Sequence, residues 1–196
     1  MNQNVVTTGE VRFSYTNLFK PRAQQEGAEP KYSTTILVPK ADTATKAAID
    51  AAINAAIEQG VGKCWNGQRP PRPAICVHDG DGARPSDGLP FGDECKGCWV
   101  FTASSKNPPF IVDRNVQPIL QQTEVYSGMY GRANVTFFPY ANSGKKGVGC
   151  ALNGVQKLRD GEALAGHISA EEAFGTPAAE QPSTAPWGAP SGAWGM

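Results

Sequence analysis

From Arg132 to Tyr140 the chain alternates strictly between two kinds of side chain. A period of two is the signature of a strand, because a helix would scatter these positions around its axis. Ala133, Val135 and Phe137 make a small apolar face suited to a core. Arg132, Asn134, Thr136, Phe138 and Tyr140 make the other, which mixes a guanidinium with hydrogen-bonding groups and rings. An ordinary solvated strand face carries few aromatics. Rings interleaved with a base suit a flexible polyanion whose flat bases need a surface to stack on. Rings packed beneath a loop produce the same pattern, so the alternation alone leaves both readings open.

Further strands are read at residues 10–15, with Val11, Phe13 and Tyr15 in line, and at 31–38, where Tyr32, Thr34, Ile36 and Val38 share a face. Others follow at 98–104, 109–112 and 147–155, the last with Val148, Cys150 and Leu152 inward. Residues 17–29 are polar and interrupted by Pro21 and Gly27, which reads as a loop. One helix is expected over 41–59. Asp42 or Thr43 caps it, Ile49, Ile53 and Ile57 form a stripe with Ala52 and Ala56, and Gly60 ends it. Residues 61–97 gather much of the glycine and proline (22 and 16 in the chain) into a long insertion expected to be a mobile excursion. Strand, strand, helix and then several strands predict a small mixed-sheet or barrel domain over 1–160. A short helical extension is expected at 161–175, with Ser169 and Glu172 as a capping box. A disordered tail, 176–196, is expected to follow, its Trp187 and Trp194 serving as docking points.

A formal net charge of zero conceals a division. All 18 lysines and arginines lie at or before Arg159, against 13 acids in the same residues, so that part carries +5. The remainder carries −5 and no base. This asymmetry points towards nucleic acid. No apolar run approaches the roughly 20 residues of a membrane span, and the first residues lack the character of a signal peptide. A cytoplasmic location and no membrane partner are expected.

Enzyme chemistry is not expected. His78 and His167 are the two imidazoles, and neither a phosphate-binding glycine loop nor a nucleophile elbow is present. Asp79 and Asp81 beside His78 resemble a metal nuclease site in composition, but acids in a glycine-rich loop more often form solvated turns. Cys95 and Cys98 have the spacing of a zinc knuckle, with Cys64, Cys76 and His78 in the same insertion. The alternative is five unligated thiols, and no cofactor is assigned.

Binding remains. Bases and rings recur together: Arg12 near Phe13 and Tyr15, Phe19 near Lys20 and Arg22, Lys31 beside Tyr32, and Tyr126 and Tyr130 before Arg132. A duplex hides the base faces that such rings would use, so the mixture favours a single strand.

The motifs that follow carry a resemblance. Val11 to Tyr15 with Leu18 and Phe19, then Lys31 to Ser33 and Val38 to Lys40, resemble the opening of the DUF2815 family of phage single-stranded DNA-binding proteins, itself similar to the T7-type phage single-strand binder. Asp79 to Asp81, Ala103 to Ser105, Tyr126 to Gly128, Phe138 to Tyr140 and Leu152 to Lys157 continue the likeness in order. The resemblance implies a mainly β OB-fold, a five-stranded partly open barrel here carrying one inserted helix and the long insertion. It also implies coating of single-stranded DNA without sequence preference during phage replication and recombination in the bacterial host cytoplasm, with replication proteins contacted through the C-terminal tail. The chain departs from the family pattern in its cysteine-bearing insertion and in a tail whose last acid is Glu180.

The expected phosphate contacts are Arg12, Lys20, Arg22, Lys31, Lys106 and Arg132, and the expected stacking residues are Phe19, Tyr32, Tyr126, Tyr130 and Phe138. Trp99 and Phe101 are assigned to the core, and Tyr15 fits either place. Two other classes stay open: a strand-annealing recombination protein and a zinc-pinned protein-interaction module.

Overall fold

The computed structural model describes residues 3–164 except 24, 25 and 143. Of the extension read at 161–175, residues 161–164 are described and are not helical. The rest of it, and the tail with Trp187 and Trp194, lie outside the described residues.

Among the described residues nine strands and one α-helix follow in the order β1 (Val5–Thr7), β2 (Val11–Arg22), β3 (Lys31–Pro39), α1 (Thr43–Lys63), β4 (Ala74–Ile75), β5 (His78–Asp79), β6 (Cys98–Ser105), β7 (Phe110–Val112), β8 (Tyr130–Asn142) and β9 (Lys145–Arg159). Five of them wrap into a ring. β2 pairs antiparallel with β3, β3 with β6, and β8 with β9, while β8 returns to β2 through Val11↔Gly131 and Arg12↔Tyr130. β6 meets β9 in parallel at Ser104↔Ala151 alone among the described residues, so the barrel is partly open there. This strand order is that of the OB-fold.

The alternation of β8 sets the inside. Ala133, Val135 and Phe137 are fully buried, joined by Val11 and Phe13 from β2, Ile36 and Val38 from β3, and Phe101 and Ala103 from β6. Phe101 and Phe137 rings sit 5.9 Å apart between centroids. Each such large apolar side chain contributes about 1.5–3 kcal/mol on burial. β1, which the sequence did not announce, adds a short edge to β8.

α1 packs its Ile49, Ile53 and Ile57 stripe against β8 and β1. Asp42 caps it, accepting from the Thr45 amide at 3.0 Å. The helix runs to Lys63, past the expected stop at Gly60. Gly60 is a packing glycine: a Cβ there would lie 2.9 Å from the ring of Trp65 and 2.8 Å from Pro139. Trp65 is fully buried and donates Nε1–H to the Tyr140 carbonyl at 3.0 Å.

Three further expectations are corrected. Residues 17–22 continue β2 instead of forming a loop, and the strand absorbs their polarity through irregular pairing after Ser14. Tyr15 leaves the line of Val11 and Phe13, with φ of 49° and its side chain 70% exposed. It is a bulge residue, and bulges re-aim side chains. The insertion is fastened down. β4 pairs with β9, β5 pairs with β6, and the Gly80 amide donates to the Cys98 carbonyl at 2.8 Å. Lys40, just after β3, meets Asp79 and Asp81 at 2.6 Å each. Cys95, from a short 3-10 turn, joins Leu37 and Val100 in a second small core on the outside of the barrel.

Trp65→Ala empties a fully enclosed site and removes the indole hydrogen bond. It should destabilise the fold by about 3–5 kcal/mol in urea unfolding.

Candidate nucleic-acid interface

With the barrel interior filled, binding surfaces must lie outside it. The outer face of β2, β3 and β6 carries a groove divided by Tyr15. Thr35 and Thr102, cross-strand partners whose Oγ1 atoms lie 3.0 Å apart, form its floor. On one side of Tyr15 is a cavity of about 390 Å³, walled by Phe91, His78, Arg84 and Glu94 of the insertion. On the other is a cavity of about 380 Å³ lined by Asn17, Arg22 and Ser33. The His78 and Phe91 rings face each other at 6.5 Å and 25°. Burial pushes the His78 pKa below its ordinary value, which favours the neutral imidazole.

Of the residues selected from sequence, Arg22 lines this groove. Lys31 is its cross-strand partner, Tyr32 pairs with Ser105, and Lys106 follows Ser105, so these four gather at one end. Lys106 is engaged with Glu29 at 2.7 Å. Lys20 is exposed on the same strand as Arg22, whereas Phe19 packs half-buried against the main core.

Arg12, Tyr126 and Tyr130 form a second group that residues 157–164 already occupy. Tyr130 lies beneath the Arg159 guanidinium at 3.6 Å and the Arg12 guanidinium at 5.5 Å, while Lys157 stands 5.5 Å over Tyr126. Arg159 donates to Glu10 at 2.7 Å. Arg12 Nη2 donates to the Glu162 carbonyl at 2.7 Å, the Gly161 amide to Tyr126 Oη at 3.1 Å, and the Leu164 amide to the Ser127 carbonyl at 2.8 Å. Tyr126 also donates to Asp160 at 2.9 Å. The cluster therefore holds a strap of the chain's own backbone against the barrel.

Arg132 and Phe138 stand on the β8–β9 wall, away from both cavities. Arg132 Nε donates to the Thr8 carbonyl at 2.9 Å. The Phe138 ring covers Gly149, its cross-strand partner, so that a Cβ there would come within 2.7 Å of it. Phe110 covers Gly154 in the same way.

Of the proposed zinc residues, Cys76, His78 and Cys95 line the cavity beside the insertion, whereas Cys64 follows α1 and Cys98 starts β6. Among the described residues no three His, Cys, Asp or Glu side chains converge as a metal ion needs. Burial pushes the thiols of Cys76 and Cys95 up to about 11. Asp79 and Asp81 are held below the usual carboxylate range, first by hydrogen bonds to Lys40, and act as a clamp.

Sequence reasoning missed Phe91 and Arg84, weighed His78 for metal alone and left Tyr15 undecided. Exposure of Tyr15 depends on the bulge, and no residue pattern marks a bulge of this kind.

Residues 4–184 match the family model described as the single-stranded DNA-binding protein of Enterobacter phage Enc34. The solved Enc34 protein in complex with single-stranded DNA is 28% identical, superposes with a TM-score of 0.68, and is matched over 83% of this chain and 90% of its own. A protein designated p50 from Acyrthosiphon pisum secondary endosymbiont phage 1 is 34% identical over 82% of this chain and 86% of its length. The T7-encoded single-stranded DNA-binding protein shares the fold at 13% identity, with a TM-score of 0.57 over 86% of this chain and 91% of its own.

The strap has a pH signature. Asp160 is held below its ordinary pKa by Lys157 and then Tyr126. A depressed folded-state pKa means that its contribution is complete above the normal carboxylate value of about 3.9 and is lost as pH falls through the lowered one. Amide protection at Gly161 and Leu164, followed by NMR, should fall over that acid range. Tyr126→Phe should reduce it at Gly161 at every pH.

Proposed function

This chain belongs to the family of phage single-stranded DNA-binding proteins represented by that of Enc34, and from that membership we propose that it coats unpaired DNA along the groove divided by Tyr15. The family consists of binders, not enzymes, and the groove offers what sequence-independent binding requires. Tyr15 and Phe91 present ring surface, Thr35 and Thr102 present hydroxyls, and Arg22, Lys31 and Lys20 stand at one end for phosphates. The observation that carries the reading is the exposure of Tyr15 between two cavities of nearly equal size. Stacking on such a ring contributes about 1–3 kcal/mol per base and is indifferent to base identity. A duplex, whose base faces are covered, cannot use it.

The setting is phage DNA replication and recombination in the host cytoplasm. Contact with replication proteins is assigned to the acidic segment that follows Arg159. Among the described residues no helix is long and apolar enough to cross a membrane.

Fluorescence titration with single-stranded and duplex oligonucleotides at several salt concentrations tests the assignment. Tyr15→Ala should weaken single-strand binding by about 1–3 kcal/mol. Arg22→Ala should lower the slope of log K against log salt by about 0.7. Arg132→Ala and Phe138→Ala should leave both quantities near those of the native protein. Unchanged binding by Tyr15→Ala, or equal affinity for duplex, would refute the groove.

A further inference from the structure

The two cavities flanking Tyr15 differ in chemistry. The one beside Arg22 is cationic and hydroxyl-lined, as phosphates require. The one walled by the insertion contains Glu94, half-buried and folded back over Gly92. Its carboxylate makes no hydrogen bond or ion pair among the described residues. An unpaired negative charge on the flank of a channel for a polyanion repels the ligand unless it meets a donor there. Arg84 lines the same cavity, its side chain 42% exposed. Its Nη2 is held by Asp87 at 2.9 Å, while its Nε is buried with no acceptor.

An unpaired carboxylate and a part-exposed guanidinium therefore share a cavity also lined by Tyr15, Phe91, His78 and the hydroxyls of Thr35 and Thr102. A phosphate satisfies Arg84 and is repelled by Glu94. A nucleobase edge satisfies both. At about 390 Å³ the cavity lies within the range of small-ligand sites. We propose that it is a base subsite in which Glu94 accepts from an exocyclic amine, so that cytosine is held in preference to thymine. Cytosine presents N4–H₂ where thymine presents the O4 acceptor, and a carboxylate accepts from the first while opposing the second. The ring carbonyl and ring nitrogen of cytosine supply acceptors for Arg84. Bases then face the insertion while phosphates run along the Arg22 side. The subsite rests on the groove assignment above and adds a bias to a surface otherwise blind to sequence.

The test compares oligo-dC with oligo-dT of equal length, two pyrimidines that stack weakly, in fluorescence titrations of the full chain at one salt concentration. The native protein should bind oligo-dC about three- to tenfold more tightly. Glu94→Ala should bring the ratio close to one, with oligo-dT affinity unchanged or raised because a negative charge has left the groove. Glu94→Gln, which keeps the size and adds an amide donor, should shift the preference towards oligo-dT. Equal native affinity for the two oligonucleotides overturns the subsite and leaves the groove intact. A cytosine preference that survives Glu94→Ala overturns the role of Glu94. Failure to bind either oligonucleotide overturns the groove itself.

Discussion

The inward layer of Phe13, Phe101 and Phe137, with the small residues between them, is the constraint from which the rest of the molecule follows. Five strands curled around that layer leave no hollow, so the fold cannot take a ligand inside as larger barrels do. On the outside, α1 and β1 cover part of the wall, and the outer face of β2, β3 and β6 carries the two cavities that flank Tyr15. Its floor of paired threonines is polar enough to meet water in the free protein and flat enough to receive a chain.

A flat sheet face is a poor binding site until something gives it depth. Here the insertion does so, and its attachment is more telling than its composition. Short strands, the Lys40 clamp and the burial of Cys95 against Leu37 and Val100 hold it as a wall along one side of the floor. Gly80 permits the approach, because any Cβ there would collide with the Cys95 carbonyl. The acids that resemble a catalytic pair in sequence are thus part of the fastening.

Much of the architecture was legible in the residues because it depends on local periodicity. The alternation of Ala133, Val135 and Phe137 and the isoleucine stripe of α1 each specify an element and its buried face. Gly60 was misread because a helix-ending glycine and a packing glycine look alike until Trp65 is placed against one of them. The insertion was misread because strands of two residues have no period at all. The interface was harder still. Arg12, Tyr126 and Tyr130 carry the right chemistry, and their use by residues 157–164 is a long-range contact invisible to spacing. Phe138 alternates onto an open face as expected, yet its ring lies on a glycine eleven residues away in sequence. Tyr15 reads as a core residue by period two, and one irregularity in β2 reverses it.

That irregularity has a thermodynamic side. A tyrosine in the left-handed region is strained by about 1–3 kcal/mol relative to its preferred backbone, and here the ring gains little from burial in return. Glycine would relax the same backbone and remove the ring. The best sequence for folding at residue 15 is therefore not the best for stacking, and the molecule is less stable than its scaffold allows at the point where it holds a ring out to solvent.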